Sequence, residues 1–271
     1  MNHLLRELAP ISDGGWSELD EEARSRLVPA LAARKLVEFS GPHGWSYSAT
    51  NLGRVTSIGG APCDGVSGTQ RRVLPVTELR ADFEIALAEL QDIDRGTTTA
   101  DLEALDTAAR QIAVAENRAV FHGWSEASIA GIAEVSPHPT VTLGDTVEGY
   151  PKPVAAAVHR LLRNGISGPY ALALGGEQWE RVVETAEHGG YPLLEHLGKI
   201  LEGGPIVWAP GVRGAVVLSI RGGDFRFESG QDLAIGYVSH DAEVVRLYLQ
   251  ESFSFHVATP EAAVALEPSA S

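Results

Sequence analysis

The stretch of residues 41–75 constrains the fold more than any other part of the 271-residue chain. It reads GPHGWSYSATNLGRVTSIGGAPCDGVSGTQRRVLP, and two β-prone runs, 45–49 and 71–76, flank a centre rich in Gly, Ser and Thr. This pattern predicts a long hairpin with a flexible tip. A two-stranded hairpin alone is marginally stable, and its exposed edges invite pairing with other chains. We therefore expect partner subunits to cover it.

The charge balance of the chain excludes several classes of partner. There are 21 Lys and Arg residues against 36 Asp and Glu residues, which gives a formal net charge of −15. Since there is no basic cluster, nucleic acid and anionic membrane surfaces are not expected as partners. No apolar run is long enough for a transmembrane helix, and the N-terminus does not read as a secretory signal. We expect a cytoplasmic protein with no membrane partner.

Two local patterns predict the elements that flank the hairpin. Residues 18–36 have apolar side chains at helical spacing, and Ser17 is the expected N-cap. Pro29 conflicts with this prediction, because proline should kink or interrupt a helix. Residues 78–90 alternate in places between apolar and polar side chains and predict a strand.

The longest predicted helix spans residues 99–122. Thr99 is the expected N-cap, an apolar stripe follows it, and Gly123 ends the helix. Further along, helices are predicted at 153–164, 176–188 and 193–202, and strands at 170–174, 205–209, 214–220, 233–238, 244–250 and 252–258. Helices and strands alternate between about residues 125 and 220, which is typical of an α/β unit.

Catalytic and metal-binding motifs are missing from the sequence. It has no phosphate-binding loop, no dinucleotide fingerprint, no nucleophile elbow and no zinc-protease motif. Cys63 is the single cysteine, so neither an intrachain disulfide nor a cysteine-rich zinc site is encoded. The segment Arg221–Phe225 contains Gly222 and Gly223 followed by Asp224, which predicts a turn rather than an active site. We predict no catalytic residue, no metal site and no cofactor.

Short blocks along the whole chain resemble one protein family. They are LAPIS at 8–12, ARKLVEFSGPHGW at 33–45, GPYAL at 168–172, YPLLEH at 191–196, RGGDF with GQDLAIGY between 221 and 237, and ESFSFHV at 251–257. In order and spacing, the chain resembles the encapsulins of the linocin-like type, also called family 1, which are shell proteins of nanocompartments.

The resemblance implies an α+β, phage-capsid-like fold of the HK97 type, with a P-domain, an α/β A-domain and an extended E-loop hairpin. The implied boundaries are 1–44 for the N-terminal helix and lead-in, 45–76 for the E-loop, 77–124 for the P-domain with its spine helix, 125–221 for the A-domain, and 222–271 for the returning P-domain strands and the tail.

The resemblance also implies a structural protein that assembles with copies of itself. The implied shell is icosahedral, with about 60 subunits in the T=1 arrangement as the simplest case and larger shells as alternatives. Cargo enzymes carry C-terminal targeting peptides, and cargos of the family include dye-decolourising peroxidases and ferritin-like iron-storage proteins. The implied roles are therefore iron storage or defence against oxidative stress. Flavin binding is not predicted, because the strand after the hairpin lacks the tryptophan found in flavin-binding relatives.

Two sites follow from the resemblance, position by position. The cargo-peptide groove would use Leu31, Arg34, Val37, Asp232, Leu233, Ile235 and Tyr237. The pore would use Glu187, His188, Gly189, Gly190 and Tyr191. Two other functional classes stay open at the level of sequence: a phage-type major capsid protein, and a bacteriocin-like or protease-like protein.

Overall fold

The computed structural model describes residues 3–144, 146–185 and 191–268. Within these ranges the α-helices are α1 (Asp13–Ala30), α2 (Ala33–Leu36), α3 (Leu87–Asp94), α4 (Glu103–His122), α5 (Pro151–Arg163), α6 (Gly176–Thr185) and α7 (Tyr191–Ile200). The strands are β1 (Glu38–Ser40), β2 (Ala49–Ile58), β3 (Gly68–Pro75), β4 (Thr77–Ala86), β5 (Val141–Thr142), β6 (Tyr170–Leu174), β7 (Ile206–Trp208), β8 (Ala215–Ser219), β9 (Phe225–Ser229), β10 (Ala234–His240), β11 (Val244–Val257) and β12 (Ala263–Glu267).

The strands form two sheets and one separate hairpin. The first sheet has the order β1-β9-β11-β10, and β4 also pairs with β11. The second sheet has the order β5-β12-β8-β6-β7 and combines parallel and antiparallel pairs. The hairpin of β2 and β3 pairs only with itself among the described residues. The predicted long hairpin is therefore confirmed, although its strands begin at Ala49 and Gly68 and are longer than the predicted runs.

Strand β11 is the centre of the first sheet. Its 14 residues pair with β4 and β10 over the first part and with β9 over the last part. The sequence predicts two strands here, 244–250 and 252–258, separated at Glu251. The break is absent because the Glu251 side chain is fully buried and pairs with Arg34 rather than being exposed in a turn.

Helix α4 packs against β4 and β11 and forms the long spine of this layer. Its apolar stripe is buried as predicted, and Gly123 ends it with a positive φ of 82°. The expected start at Thr99 is wrong: α4 begins at Glu103, whose backbone N–H donates to Asp101 Oδ1 at 3.1 Å. The N-cap position is that of Leu102, and Asp101 just before it supplies the acceptor for the first helical N–H.

The predicted helix 18–36 is two helices. Helix α1 starts at Asp13, where Ser12 accepts a hydrogen bond from Gly15 N, so Ser17 is not the cap. Pro29 lies in the last turn of α1, which ends at Ala30. Helix α2 then begins at Ala33.

Asn117 of α4 holds the break between α1 and α2. Its Oδ1 accepts hydrogen bonds from the backbone N–H groups of Ala32 and Ala33 at 3.1 and 3.2 Å. Its Nδ2 donates to the carbonyl oxygens of Ala30 and Pro210 at 2.9 and 3.0 Å. The Asn117 side chain is fully buried, so these four bonds satisfy backbone groups that no water reaches.

Two other predicted boundaries differ in the structure. The predicted strand 78–90 ends at Ala86, and residues 87–94 form α3, in agreement with the helix-forming side chains of that segment. The predicted helix 176–188 is described only to Thr185. The Arg221–Phe225 turn is confirmed: Gly222 and Gly223 both have positive φ, and Asp224 pairs with Arg221 at 2.9 Å.

The final strand belongs to the second sheet. Strand β12 pairs antiparallel with β8 and parallel with β5. This placement differs from the expectation that residues 222–271 all return to the P-domain. The reason is that the apolar run at residues 263–266 is largely buried, and it fills the gap between β5 and β8. No helix in the described part of the chain is long and apolar enough to cross a membrane.

Replacement of Asn117 by Ala should destabilise the protein by roughly 3 kcal/mol, because it leaves the buried N–H of Ala33 without an acceptor and removes the donor to the carbonyl oxygens of Ala30 and Pro210. The matched control is Asn164→Ala, since the exposed Asn164 side chain donates a single hydrogen bond to Arg160 O. We expect a lower thermal unfolding midpoint for Asn117→Ala only. Equal midpoints for the two variants would show that Asn117 does not stabilise the backbone between α1 and α2.

Candidate functional site

A groove lies between α1 and β10 and has a volume of about 530 Å³. Apolar side chains form most of its lining, and charged side chains stand among them. The lining residues are Leu4, Arg6, Asp20, Ala23, Arg24, Leu27, Val28, Leu31, Arg34, Asp232, Leu233, Ala234, Ile235 and Leu249. Extended peptides bind such surfaces by placing small apolar side chains in pockets while fixed polar groups set their register.

The structure brings five of the seven predicted groove residues together. They are Leu31, Arg34, Asp232, Leu233 and Ile235, and all of them line this groove.

The other two predicted groove residues lie elsewhere. Val37, the residue that follows α2, lines a separate cavity of about 240 Å³ beside β9. Tyr237 is buried, and its hydroxyl lies 2.6 Å from His240 Nδ1. Neither residue lines the groove.

Sequence reasoning missed the first part of the lining. On α1, Asp20, Arg24, Leu27 and Val28 follow one another at helical spacing, and the same spacing continues to Leu31. This helical spacing could have predicted which face of α1 lines the groove. Leu4 and Arg6 gave no such signal, because their contribution depends on contacts with β10, more than 200 residues away in the chain.

The N-terminal segment crosses from β10 to α1. Leu4 O accepts a hydrogen bond from Tyr237 N at 2.9 Å, and Arg6 Nε donates to Ile235 O at 2.7 Å. Arg6 also forms two hydrogen bonds with the carboxylate of Asp20, at 2.7 and 2.6 Å. The segment therefore forms a wall across the end of the groove that carries Asp20 and Ile235.

Arg34 holds the opposite end of the groove. Its guanidinium donates to Glu116 Oε2 at 2.7 Å, to Asp232 Oδ1 at 2.6 Å and to Glu251 Oε2 at 2.5 Å. The Glu116 and Glu251 side chains are fully buried, whereas the Asp232 side chain is 47% exposed. A single side chain of α2 thus joins α4, β11 and the residue that begins the groove wall of β10.

The electrostatics of this cluster follow from burial. Burial opposes the charged form of Arg34, but the carboxylates outweigh that effect and raise its pKa above the usual value. Burial raises the pKa of Glu116, against the lowering effect of Arg34. Burial and the charge of Glu116 raise the pKa of Glu251 well above its usual range. Each of the two carboxyl groups also keeps a buried Oε1 without a hydrogen-bond partner among the described residues.

These pKa shifts imply that the buried carboxyl groups share a proton. Two adjacent carboxylates cannot both stay ionised in a buried site at low cost, so one of them keeps its proton to a higher pH than a free carboxyl group does. With one proton on the pair, the buried part of the cluster contains one positive and one negative charge, and Asp232 supplies a further negative charge at the surface.

The predicted pore residues Glu187, His188, Gly189 and Gly190 lie outside the described residues. Tyr191 is the first residue of α7. Among the described residues, no group of three or more His, Cys, Asp or Glu side chains is arranged to hold a metal ion.

The architecture defines the class of the protein. A spine helix on a sheet centred on a long strand, a second α/β unit and a projecting hairpin together make the α+β capsid fold of the HK97 type. A virus-like particle from Pyrococcus furiosus matches with a TM-score of 0.63 at 18% identity, over 91% of this chain and 98% of that one. The capsid of phage XM1 matches with a TM-score of 0.53 at 11% identity, over 86% and 89%.

Sequence comparison narrows the class to a family. The profile of the Linocin_M18 family, described as encapsulating protein for peroxidase, matches residues 1–254. The type 1 encapsulin shell protein of Rhodospirillum rubrum is 45% identical over 98% of this chain and 96% of its own length. That of Mycobacterium tuberculosis is 40% identical over 98% of this chain and 99% of its own. This chain belongs to the family of type 1 encapsulin shell proteins.

Replacement of Glu251 by Gln should make the stability less dependent on pH. The folded protein holds a proton on the carboxyl pair that the unfolded chain releases above about pH 4.3. Stability should therefore fall as the pH rises above that value, and the variant should lack most of this fall. A glutamine carbonyl can still accept the hydrogen bond from Arg34.

The measurement is the thermal unfolding midpoint of both proteins between pH 5 and pH 8. We expect the midpoint of Glu251→Gln relative to the wild type to rise with pH. The exposed residue Glu243 provides the control variant, Glu243→Gln. Parallel curves for all three proteins would contradict the shared proton.

Proposed function

We propose that copies of this chain assemble into a closed, hollow icosahedral nanocompartment in the cytoplasm and enclose a cargo enzyme there. A shell of about 60 subunits in the T=1 arrangement is the simplest form. The hairpin of β2 and β3 supports this assembly, because it projects from the fold and exposes Val55, Ile58, Val66 and Val73. Neighbouring subunits would cover these apolar side chains and the open strand edges.

The groove between α1 and β10 is the proposed docking site for the C-terminal peptide of the cargo. The observation that carries this function is a groove that combines apolar pockets with polar groups fixed at both ends by ion pairs. The apolar lining suits small aliphatic side chains, and the fixed charges suit a defined register. The docking residues that we propose are Leu31, Arg34, Asp232, Leu233 and Ile235, with Val37 and Tyr237 as supporting residues behind the lining.

A peroxidase is the cargo class that we propose first. The family description, encapsulating protein for peroxidase, supports it. The shell protein itself would have no catalytic role, in agreement with the names of its relatives. A ferritin-like iron-storage protein is the second cargo class, and it rests on the family resemblance alone.

The sequence also supports a proposed pore at Glu187–Tyr191. Histidine side chains titrate near pH 6.5, so a symmetric ring of His188 side chains would gain positive charge at low pH. We expect the entry of a small anionic dye into wild-type shells to be faster at pH 5 than at pH 8. His188→Ala shells should show no such difference. Flux that depends on pH equally in both shells would remove His188 from the pore.

The assembly and the groove are tested together by producing the chain in its native host and purifying the particles. Electron microscopy should show hollow particles in the megadalton range, with a co-purifying protein and no nucleic acid. A monomer or dimer would overturn the shell, and a particle filled with nucleic acid would favour a phage-type capsid protein.

The double variant Leu31→Asp with Leu233→Asp should lower the ratio of cargo to shell at least tenfold, because each Asp places a charge in an apolar pocket. The matched control is Val238→Asp, since Val238 lies on β10 but is 46% exposed and does not line the groove. Mass spectrometry of purified particles gives the ratio. Wild-type loading of the double variant would show that the groove is not the docking site.

A further inference from the structure

The groove contains one arginine whose role the rest of the structure does not explain. Arg24 lines the groove from α1, is exposed, and forms no hydrogen bond or ion pair with any described residue. The other two arginines of the lining form hydrogen bonds and ion pairs within the protein. Arg6 binds Asp20 and Ile235 O, and Arg34 binds three carboxylates.

No acidic group of the lining is free to neutralise Arg24. Asp20 lies one helical turn before it, but both of its carboxylate oxygens accept hydrogen bonds from Arg6. Asp232 lies at the opposite end, where Oδ1 accepts from Arg34 Nη1 and from Leu233 N. Arg24 therefore forms no ion pair with the groove lining and presents its guanidinium to whatever enters the groove.

Arg24 lies near the end of the groove that the N-terminal segment crosses, and this position indicates which part of a bound peptide it meets. The N-terminal segment crosses from Ile235 of β10 to Asp20 of α1 through Arg6, and so blocks that end. A peptide that lies along the groove meets this wall, and a chain terminus fits there better than an internal segment that has to turn away. Arg24, one helical turn from Asp20, stands beside that terminus.

We propose that Arg24 recognises the terminal carboxylate of the cargo peptide. Arginine binds carboxylates through two parallel hydrogen bonds, and an arginine without a competing partner is well suited to do so. This proposal rests on the proposed function of the groove and adds the group by which the groove distinguishes a chain end from an internal segment.

The same geometry sets the direction of the bound peptide. Strand β10 runs from the end held by Arg34 towards the end closed by Arg6, because Asp232 pairs with Arg34 and Ile235 O accepts from Arg6. A peptide with its carboxylate at Arg24 would run in the same direction as β10. The cargo would then lie beyond the open end, next to Asp232. Asp232 Oδ2 accepts no hydrogen bond from the described residues and is available as an acceptor for the entering backbone.

The experiment measures peptide binding to assembled, empty shells. The probe is a fluorescent synthetic peptide with the last twelve residues of the protein that co-purifies most abundantly with native shells. It is made in two forms, one with a free terminal carboxylate and one with a terminal amide. The shells are wild type, Arg24→Gln, Leu31→Asp with Leu233→Asp, and Arg163→Gln, an exposed arginine of α5 outside the groove.

We expect amidation to weaken binding to wild-type and Arg163→Gln shells by roughly tenfold, since a hydrogen-bonded charge pair is lost. Arg24→Gln shells should bind both forms equally, with the affinity that wild-type shells have for the amide. The preference of wild-type shells for the free acid should also decrease at high salt, because Arg24 is exposed.

The outcomes separate this inference from the proposed function. If the double variant loses binding while wild-type shells bind acid and amide alike, the groove is the docking site and the role of Arg24 is wrong. The role of Arg24 is also wrong if Arg24→Gln shells still prefer the free acid. If the double variant binds like wild type, the groove itself is not the docking site and both proposals fail.

Discussion

The ion-pair cluster of Arg34 is the interaction on which the functional part of the structure depends. One guanidinium contacts carboxylates of α4, of β11 and of the residue that starts the groove wall of β10. In that order, these carboxylates lie 82, 217 and 198 positions away in the chain. Removal of the arginine would leave buried carboxyl groups without their cation, which costs far more than a surface ion pair contributes. The groove therefore keeps its shape only while this cluster stays intact.

The cluster in turn depends on the break in the N-terminal helix. Pro29 ends α1, and Asn117 satisfies the backbone groups that the break exposes. Helix α2 can then leave the axis of α1 and direct Arg34 towards α4 and β11. Asn117 and Glu116 are neighbours on the buried face of the spine helix, so a single turn of α4 fixes both the break and the cluster. This coupling explains why two polar residues occupy the core face of a helix whose other buried residues are apolar.

The fold leaves some of its surfaces open. The hairpin exposes apolar side chains and pairs with no other described strand, while the groove between α1 and β10 has no occupant among the described residues. Such surfaces are a liability for a monomer, but they are useful in a protein that binds copies of itself on one side and a peptide on another. The family of type 1 encapsulin shell proteins gives these open surfaces a common explanation.

Local patterns in the sequence determined the hairpin, the apolar face of α4, the turn at Gly222 and Gly223, and the alternation of the α/β unit. In each case neighbouring residues carry the signal, through helical spacing, strand alternation or glycine conformation. The family resemblance added five groove residues that the structure brings together, although it also named Val37 and Tyr237, which lie outside the lining.

Only the tertiary structure decided the rest, because the deciding contacts join distant parts of the chain. Helix α4 begins at Glu103 next to the acceptor Asp101 rather than at Thr99, and Glu251 stays inside a continuous strand because Arg34 pairs with its carboxyl group. Leu4 and Arg6 became part of the groove through hydrogen bonds to β10. No local pattern encodes such pairings, since the free energy of a buried charge or of a closed groove end depends on partners that folding alone brings together.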